Sequence, residues 1–234
     1  MKRIAYTIFA AALLFAATLK ASAQSEQSRE VSGFKSIASS GPFDVHVNIN
    51  GTESLKIKAS QNIISEIETV VDEGTLKIKF KHNHDWNDGD NGPIDVYVTA
   101  KSLSSLVNAG SGSIKVEGVV SGNNVDVVLS GSGDIESRVK SERLHATISG
   151  SGSIRLSGSA DEAKVTITGS GEVKAKELKT GSTSVMIAGS GSAYFNADKT
   201  VSAHIVGSGN VVYTGNATIT ESRTVGSGNI SKAD

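Results

Sequence analysis

Gly150-Ser151-Gly152-Ser153-Ile154 is one copy of a motif that the chain writes seven times, beginning at Gly110, Gly131, Gly150, Gly169, Gly189, Gly207 and Gly226. Successive copies lie 18 to 21 residues apart. A repeat of that length marks a stacked-coil architecture, in which each coil buries its apolar face against the next. Short alternating runs flank each triplet, such as Ala146-Thr147-Ile148 before Gly150 and Ile154-Arg155-Leu156 after Gly152. That alternation is the period of a strand with one buried face. A chain turning sharply between two such strands needs positive φ or a Cβ-free approach, and Gly supplies both. With coils about 4.8 Å apart, the triplets stack in a column that admits only small residues. The intervening Ser residues are then placed to form a hydroxyl ladder.

The flanking columns carry the stronger signal. Two residues before the first Gly stand Leu129, Ile148, Ile167, Ile187 and Ile205; two after the second stand Ile114, Ile135, Ile154, Val173, Ala193, Val211 and Ile230. Four after it come Val116, Leu156, Ala175, Phe195 and Tyr213, with Ser137 and Lys232 as exceptions. The positions between, including Arg155, Lys174, Thr147 and His204, are polar. A flexible Gly/Ser linker would not hold apolar registers through seven periods. The expected fold is all-β: a parallel β-helix or solenoid of about seven two-stranded coils. Each coil is joined by the triplet and by a polar turn, such as residues 157–162, 178–183 or 197–200.

Residues 106–234 hold this solenoid, and the preceding chain lacks its beat. Residues 1–23 read as a cleaved signal helix: Lys2 and Arg3 lead an apolar run that ends at Ala21-Ser22-Ala23. The run is short of the ~20 residues a membrane span needs. Export is therefore expected, to periplasm, outer surface or medium, with no membrane span after cleavage. There is no Cys, which excludes disulfides, thiolate metal sites and a lipidated N-terminal Cys. Loss of Lys2, Arg3 and Lys20 takes the formal charge from −1 to −4. A weakly acidic surface with scattered charges argues against nucleic acid as a partner.

Residues 24–32 are polar and read as a flexible N-terminus. Residues 33–105 read as a smaller antiparallel β-unit capping one end of the solenoid. In it, Asn50-Gly51 turns the strand at Phe43, Val45, Val47 and Ile49 into a hairpin with Leu55-Lys56-Ile57-Lys58. A second hairpin turns at Asp72-Glu73-Gly74, and residues 62–67 form one helical turn with Asn62 as its cap.

The chain also resembles a known family. Val31-Ser32-Gly33-Phe34-Lys35-Ser36-Ile37, Phe43-Asp44-Val45-His46-Val47, Glu73-Gly74-Thr75-Leu76-Lys77-Ile78 and Leu106-Val107-Asn108-Ala109-Gly110-Ser111-Gly112 together carry the resemblance, followed by the later triplets. It covers roughly residues 31–230 and points to the family of the auto-transporter adhesin head GIN domain, a domain of unknown function. The resemblance implies a right-handed parallel β-helix-like fold on exported proteins and an adhesin-like role by structural analogy. It brings no catalytic or ligand residues with it, and no anchor barrel is recognisable in the chain.

For chemistry, His82, His84, Asp85, Asp88 and Asp90 gather around Trp86 in one loop. His-x-His-Asp can ligate a divalent metal and Asp-rich loops can hold calcium, yet the spacing fits no strict motif, and a solvated loop is the reading preferred. Trp86 could instead contact a glycan or protein partner. No cofactor is expected. The triplet is not the Gly-x-Ser-x-Gly nucleophile elbow, and His145 and His204 show no carboxylate to orient them. The outward acids Asp126, Glu136 and Glu172 fall in no single column, as a glycosidase pair would require. The first expectation is an exported, non-enzymatic, adhesin-like module binding an unknown protein or glycan. The alternatives are a carbohydrate-active β-helix enzyme and an envelope protein that self-assembles through its C-terminal edge or a flat face. A homo-oligomer stays open.

Overall fold

A computed structural model describes residues 24–81 and 92–233. Sixteen strands and one short helix follow in chain order: β1 (Ser25–Arg29), β2 (Ser36–Ser40), β3 (Asp44–Ile49), β4 (Ser54–Ala59), α1 (Gln61–Glu66), β5 (Ile67–Asp72), β6 (Thr75–Phe80) and β7 (Asp95–Ala100). Then come β8 (Ser105–Gly110), β9 (Ser113–Gly131), β10 (Asp134–Gly150), β11 (Ser153–Gly169), β12 (Glu172–Gly189), β13 (Ser192–Gly207), β14 (Asn210–Thr214), β15 (Thr218–Gly226) and β16 (Asn229–Lys232).

The parallel solenoid expected from the repeat is present. Strands β9 to β13 stack in parallel register, so that Ile135 lies over Ile154, Ile154 over Val173 and Val173 over Ala193. The column Leu129, Ile148, Ile167, Ile187 and Ile205 is fully buried. Branched aliphatics suit these positions because each packs on its equivalent one coil above and below. The polar turns expected within each coil are not breaks. β11 and its neighbours run unbroken from one triplet to the next, and Ala160, Leu178 and Ala197 within those segments point inward and are buried. Interstrand hydrogen bonds pass from coil to coil, so a bend in every coil at the same place keeps the ladder intact.

The triplets form a sharp corner that recurs from coil to coil. Gly150 has φ +133°, and a Cβ there would overlap the carbonyl oxygen of Gly131 directly below. Gly152 meets Gly133 in the same way. The corner ladder is made of main chain rather than Ser hydroxyls: Ser151 N–H donates to Gly131 O at 3.0 Å, Ser170 to Gly150 O at 3.0 Å and Ser190 to Gly169 O at 2.9 Å. The Ser side chains between them face solvent.

Residues 33–105 are not a separate antiparallel unit. β2 pairs in parallel with β8, and β3 with β9, so residues 36–49 form a full coil beneath the first triplet. Gly41 is its corner, stacked under Gly110. A further coil lies below, with β6 parallel to β2 and β7 parallel to β3. One continuous apolar cluster runs from Phe34 to Ala217. The antiparallel pairing is confined to the outer edge, where β4 pairs β7, β1 pairs β4 and β5 pairs β6. This edge does cap the end. The second hairpin is therefore present, but the first is not, because β7 lies between β3 and β4. Ser60, not Asn62, caps α1, and its side chain makes no capping bond.

Residues 24–32, read as flexible, include β1. Arg29 ties that strand down by donating from Nη1 to Ile67 O at 2.7 Å and from Nη2 to Ile64 O at 2.9 Å. It thus adds a second donor to Ile64 O, which already accepts the Ile67 N–H, and ties the end of α1 to the start of β5. Glu53 fixes the adjoining turn: its Oε1 accepts the N–H groups of Gly33 and Phe34, and its Oε2 accepts from Lys101 Nζ at 2.6 Å. The Lys101 ammonium holds the Glu53 carboxyl below the usual glutamate range, outweighing desolvation, and the two backbone donors add to the effect.

Gly150→Ala is expected to cost about 2–5 kcal/mol through backbone strain and steric overlap, against less than ~0.5 kcal/mol for Ser151→Ala at the solvent-facing position beside it. Urea titrations of the two variants read the difference. A second check uses acid. A carboxyl held below its ordinary pKa contributes stability above the unfolded value, near 4.3 for Glu, and that contribution disappears as pH falls through the depressed folded value. Glu53→Gln should therefore lower the melting temperature at pH 7, with the gap to the native chain closing in melts recorded near pH 3.

Candidate functional site

The outward residues of the flank that follows the triplet stack as regularly as the inward ones. One row runs Lys56, Tyr97, His46, Lys115, Glu136, Arg155, Lys174 and Tyr194, each in register with the next. Alternation along each strand places them: Ile154 and Leu156 are buried, so Arg155 between them faces out. An aromatic ring therefore stands toward each end of a charged stripe. At one end Tyr97 stacks on His46 with ring centres 5.0 Å apart, and Lys56 Nζ lies 5.6 Å from the Tyr97 ring centre. His46 Nε2 is 3.1 Å from Asp95 Oδ1. At the other end Lys176 Nζ lies 5.4 Å from the centre of the Tyr194 ring.

Beside Tyr194 the flank is not flat. Register slips by residues at this place in three of the four junctions from β9 to β13, at Glu136/Arg138, at Arg155/Ser157 and at Ala175/Lys179, while β10 and β11 stay in register with each other. An extra residue in one strand of a pair bends that strand and re-aims its side chains. Here the slips open a groove of about 450 Å³ whose apolar floor includes Val116 and Leu156. Glu136, Arg138, Arg155, Glu172, Lys174, Lys176, Glu177 and Tyr194 stand around it. Arg155 Nη1 donates to Glu136 Oε2 at 3.4 Å, and Lys174 Nζ lies 2.9 Å from Glu172 Oε2. Both pairs are solvent-exposed, so each contributes little to stability. Their effect is to hold polar groups of both signs in fixed positions beside an aromatic ring, the surface chemistry by which concave sites orient a ligand.

His82, His84, Asp85, Trp86, Asp88 and Asp90, the loop singled out from sequence, lie outside the described residues. The chain enters that segment from β6 and leaves it toward β7. Among the described residues no group of three or more metal-ligating side chains comes together. Asp126, Glu136 and Glu172 fall in different columns, as expected. His145, however, does have a carboxylate: its Nδ1 lies 3.2 Å from Asp126 Oδ1. The two are 19 residues apart in sequence, one coil apart in space, and directly in register. The groove was not among the sequence expectations, which rested on the inward columns; Glu136, Arg155, Lys174 and Tyr194 of its lining stand in an outward one. The signal was the third residue after each triplet: Lys115, Glu136, Arg155, Lys174 and Tyr194.

These features define an end-capped parallel β-solenoid carrying a charged, aromatic-edged groove on one flank. The chain belongs to the family described as "Putative auto-transporter adhesin, head GIN domain", which matches residues 33–217. No curated protein matches it. Among solved structures it is similar to a "putative adhesin" from Bacteroides fragilis, with 22% identity over 90% of this chain and 97% of that one and a TM-score of 0.82. A "Putative lipid binding protein" from Parabacteroides distasonis shares 26% identity over 90% of this chain and 97% of that one, with a TM-score of 0.73. A "putative adhesin" from Parabacteroides merdae shares 23% identity over 90% of this chain and 96% of that one, with a TM-score of 0.70.

Proposed function

We propose that the protein is an exported, non-enzymatic binding module of adhesin type, and that a glycan or a protein segment docks in the flank groove beside Tyr194. The observation that carries this reading is the groove's origin in three aligned register slips. A plain solenoid needs none of them, and together they gather Tyr194, Arg155, Lys174 and Lys176 at one place. The family description and the structural neighbours named as adhesins support the binding role. Export rests on residues 1–23 and on the family. Among the described residues no helix is long and apolar enough to cross a membrane.

The arrangement of charge favours binding over hydrolysis. A hydrolytic pair needs two carboxyls facing each other across the scissile bond, whereas Glu136 and Glu172 each face a cation. Tyr194 offers a planar amphipathic ring, which suits the apolar face of a sugar or a peptide side chain. The floor at Leu156 and Val116 lets the ligand bury apolar atoms between the charged walls.

The test is a glycan-array and extracellular-matrix screen of residues 24–234, followed by the variant Arg155→Ala/Tyr194→Ala. Loss of two central anchors should weaken binding about tenfold or more, equivalent to roughly 1.4 kcal/mol. Absence of any ligand, or a ligand indifferent to both residues, would reject the reading.

A further inference from the structure

The two ends of the solenoid are built differently. The N-terminal end is closed by the antiparallel strands β1 and β5 with α1 between them in sequence, and Arg29 of β1 bonds to carbonyls of the other two. At the other end, β15 pairs with β13 on one side and, among the described residues, with nothing on the other. All nine of its residues are exposed. A free edge of that length is a template for another strand.

The residues along this edge are neither those of a further coil nor those of a blocked edge. In the inward columns, where earlier coils place Ala203 and Ile205, β15 has Ser222 and Thr224. Hydroxyls there tolerate water when the end is free and can bond across a seam when it is covered. In the outward columns stand Glu221 and Arg223, in register with Ser202 and His204. Glu221 meets only the Ser202 hydroxyl, at 3.4 Å, and Arg223 has no ion-pair partner among the described residues. A row of Lys would repel any incoming strand. A Glu and an Arg placed symmetrically about one residue instead attract an identical strand that runs the opposite way.

We infer that β15 is a self-recognition edge, on which a second copy of this chain docks end to end about a two-fold axis through Ser222. Running antiparallel, Glu221 faces the partner's Arg223 and Arg223 faces the partner's Glu221. Thr220 faces the partner's Thr224, and Ser222 faces its own equivalent. Opposite charges and Thr pairs directly across an antiparallel seam are each favourable. The contact is isologous, so it closes at two copies and does not propagate. It leaves the groove on each copy free.

The chain has no Cys, which makes the test clean. Light scattering and sedimentation of residues 24–234 over a range of concentrations should show a reversible monomer–dimer equilibrium that weakens with salt. Glu221→Arg or Arg223→Glu alone sets like charges opposite each other and should raise the dimer dissociation constant about tenfold or more. The double swap Glu221→Arg/Arg223→Glu should restore it. Independently, Ser222→Cys should oxidise to a covalent dimer, while Ser149→Cys, exposed on the same flank but away from the edge, should not. Monomers at every concentration, head-to-tail chains longer than two, a swap that fails to restore pairing, or equal cross-linking at both cysteines would each overturn the inference.

Discussion

Main-chain contact at the Gly-Ser-Gly corner is the constraint on which the structure depends. The carbonyl of each corner glycine occupies the space where the next coil's Cβ would be, and the same main chain accepts that coil's N–H. Coils can approach to strand spacing there only because both sides lack a side chain. Once the corner is held at that distance, the residues two before and two after it are brought over their equivalents without further adjustment. The buried column from Leu129 to Ile205 follows from this. Burial of the aliphatics supplies the stabilisation, and the corner decides which aliphatic meets which.

The same registration organises the outer surface. Residues about one repeat apart become lateral neighbours, and this produces the pairs Glu136–Arg155 and Asp126–His145 as well as the row ending at Tyr194. The groove arises where registration relaxes. Register slips near one bend at three of the four strand junctions from β9 to β13, and charged side chains line a hollow there. Regularity therefore makes the scaffold, and a local, repeated departure from it makes the candidate site.

How far sequence reading carried depended on the range of the interaction. The solenoid was legible because its signal repeats: seven triplets and three apolar columns state one geometry many times. The N-terminal coils were not, because their corner is written once, as Ser40-Gly41-Pro42, and their strands look like ordinary hairpin strands. Nothing local says that β7 lies between β3 and β4; that is decided by which strand best continues the row from Val45 to Val96. Residues 24–32 looked frayed because their anchor, Arg29, bonds to carbonyls more than thirty residues away. The outward row was legible in principle from the same 19-residue spacing, while the register slips that open the groove were not. The loop of His82, His84, Asp85, Trp86, Asp88 and Asp90, singled out because it breaks the repeat pattern, lies outside the described residues.

The spatial order of the first coils also bears on how the chain can assemble. The coil of β2 and β3 is made first but sits between the later coil of β6 and β7 and that of β8 and β9. A chain emerging from its N-terminus thus starts with an interior rung whose two faces stay bare until residues on both sides have arrived. Growth from there proceeds in two directions, outward to the closed end and onward along the triplets. The rung beneath the first triplet acts as a seed held open until about half of the chain is available. Beyond it every rung needs only the one just laid, so the slow, long-range step is concentrated at the beginning and the remainder can zip.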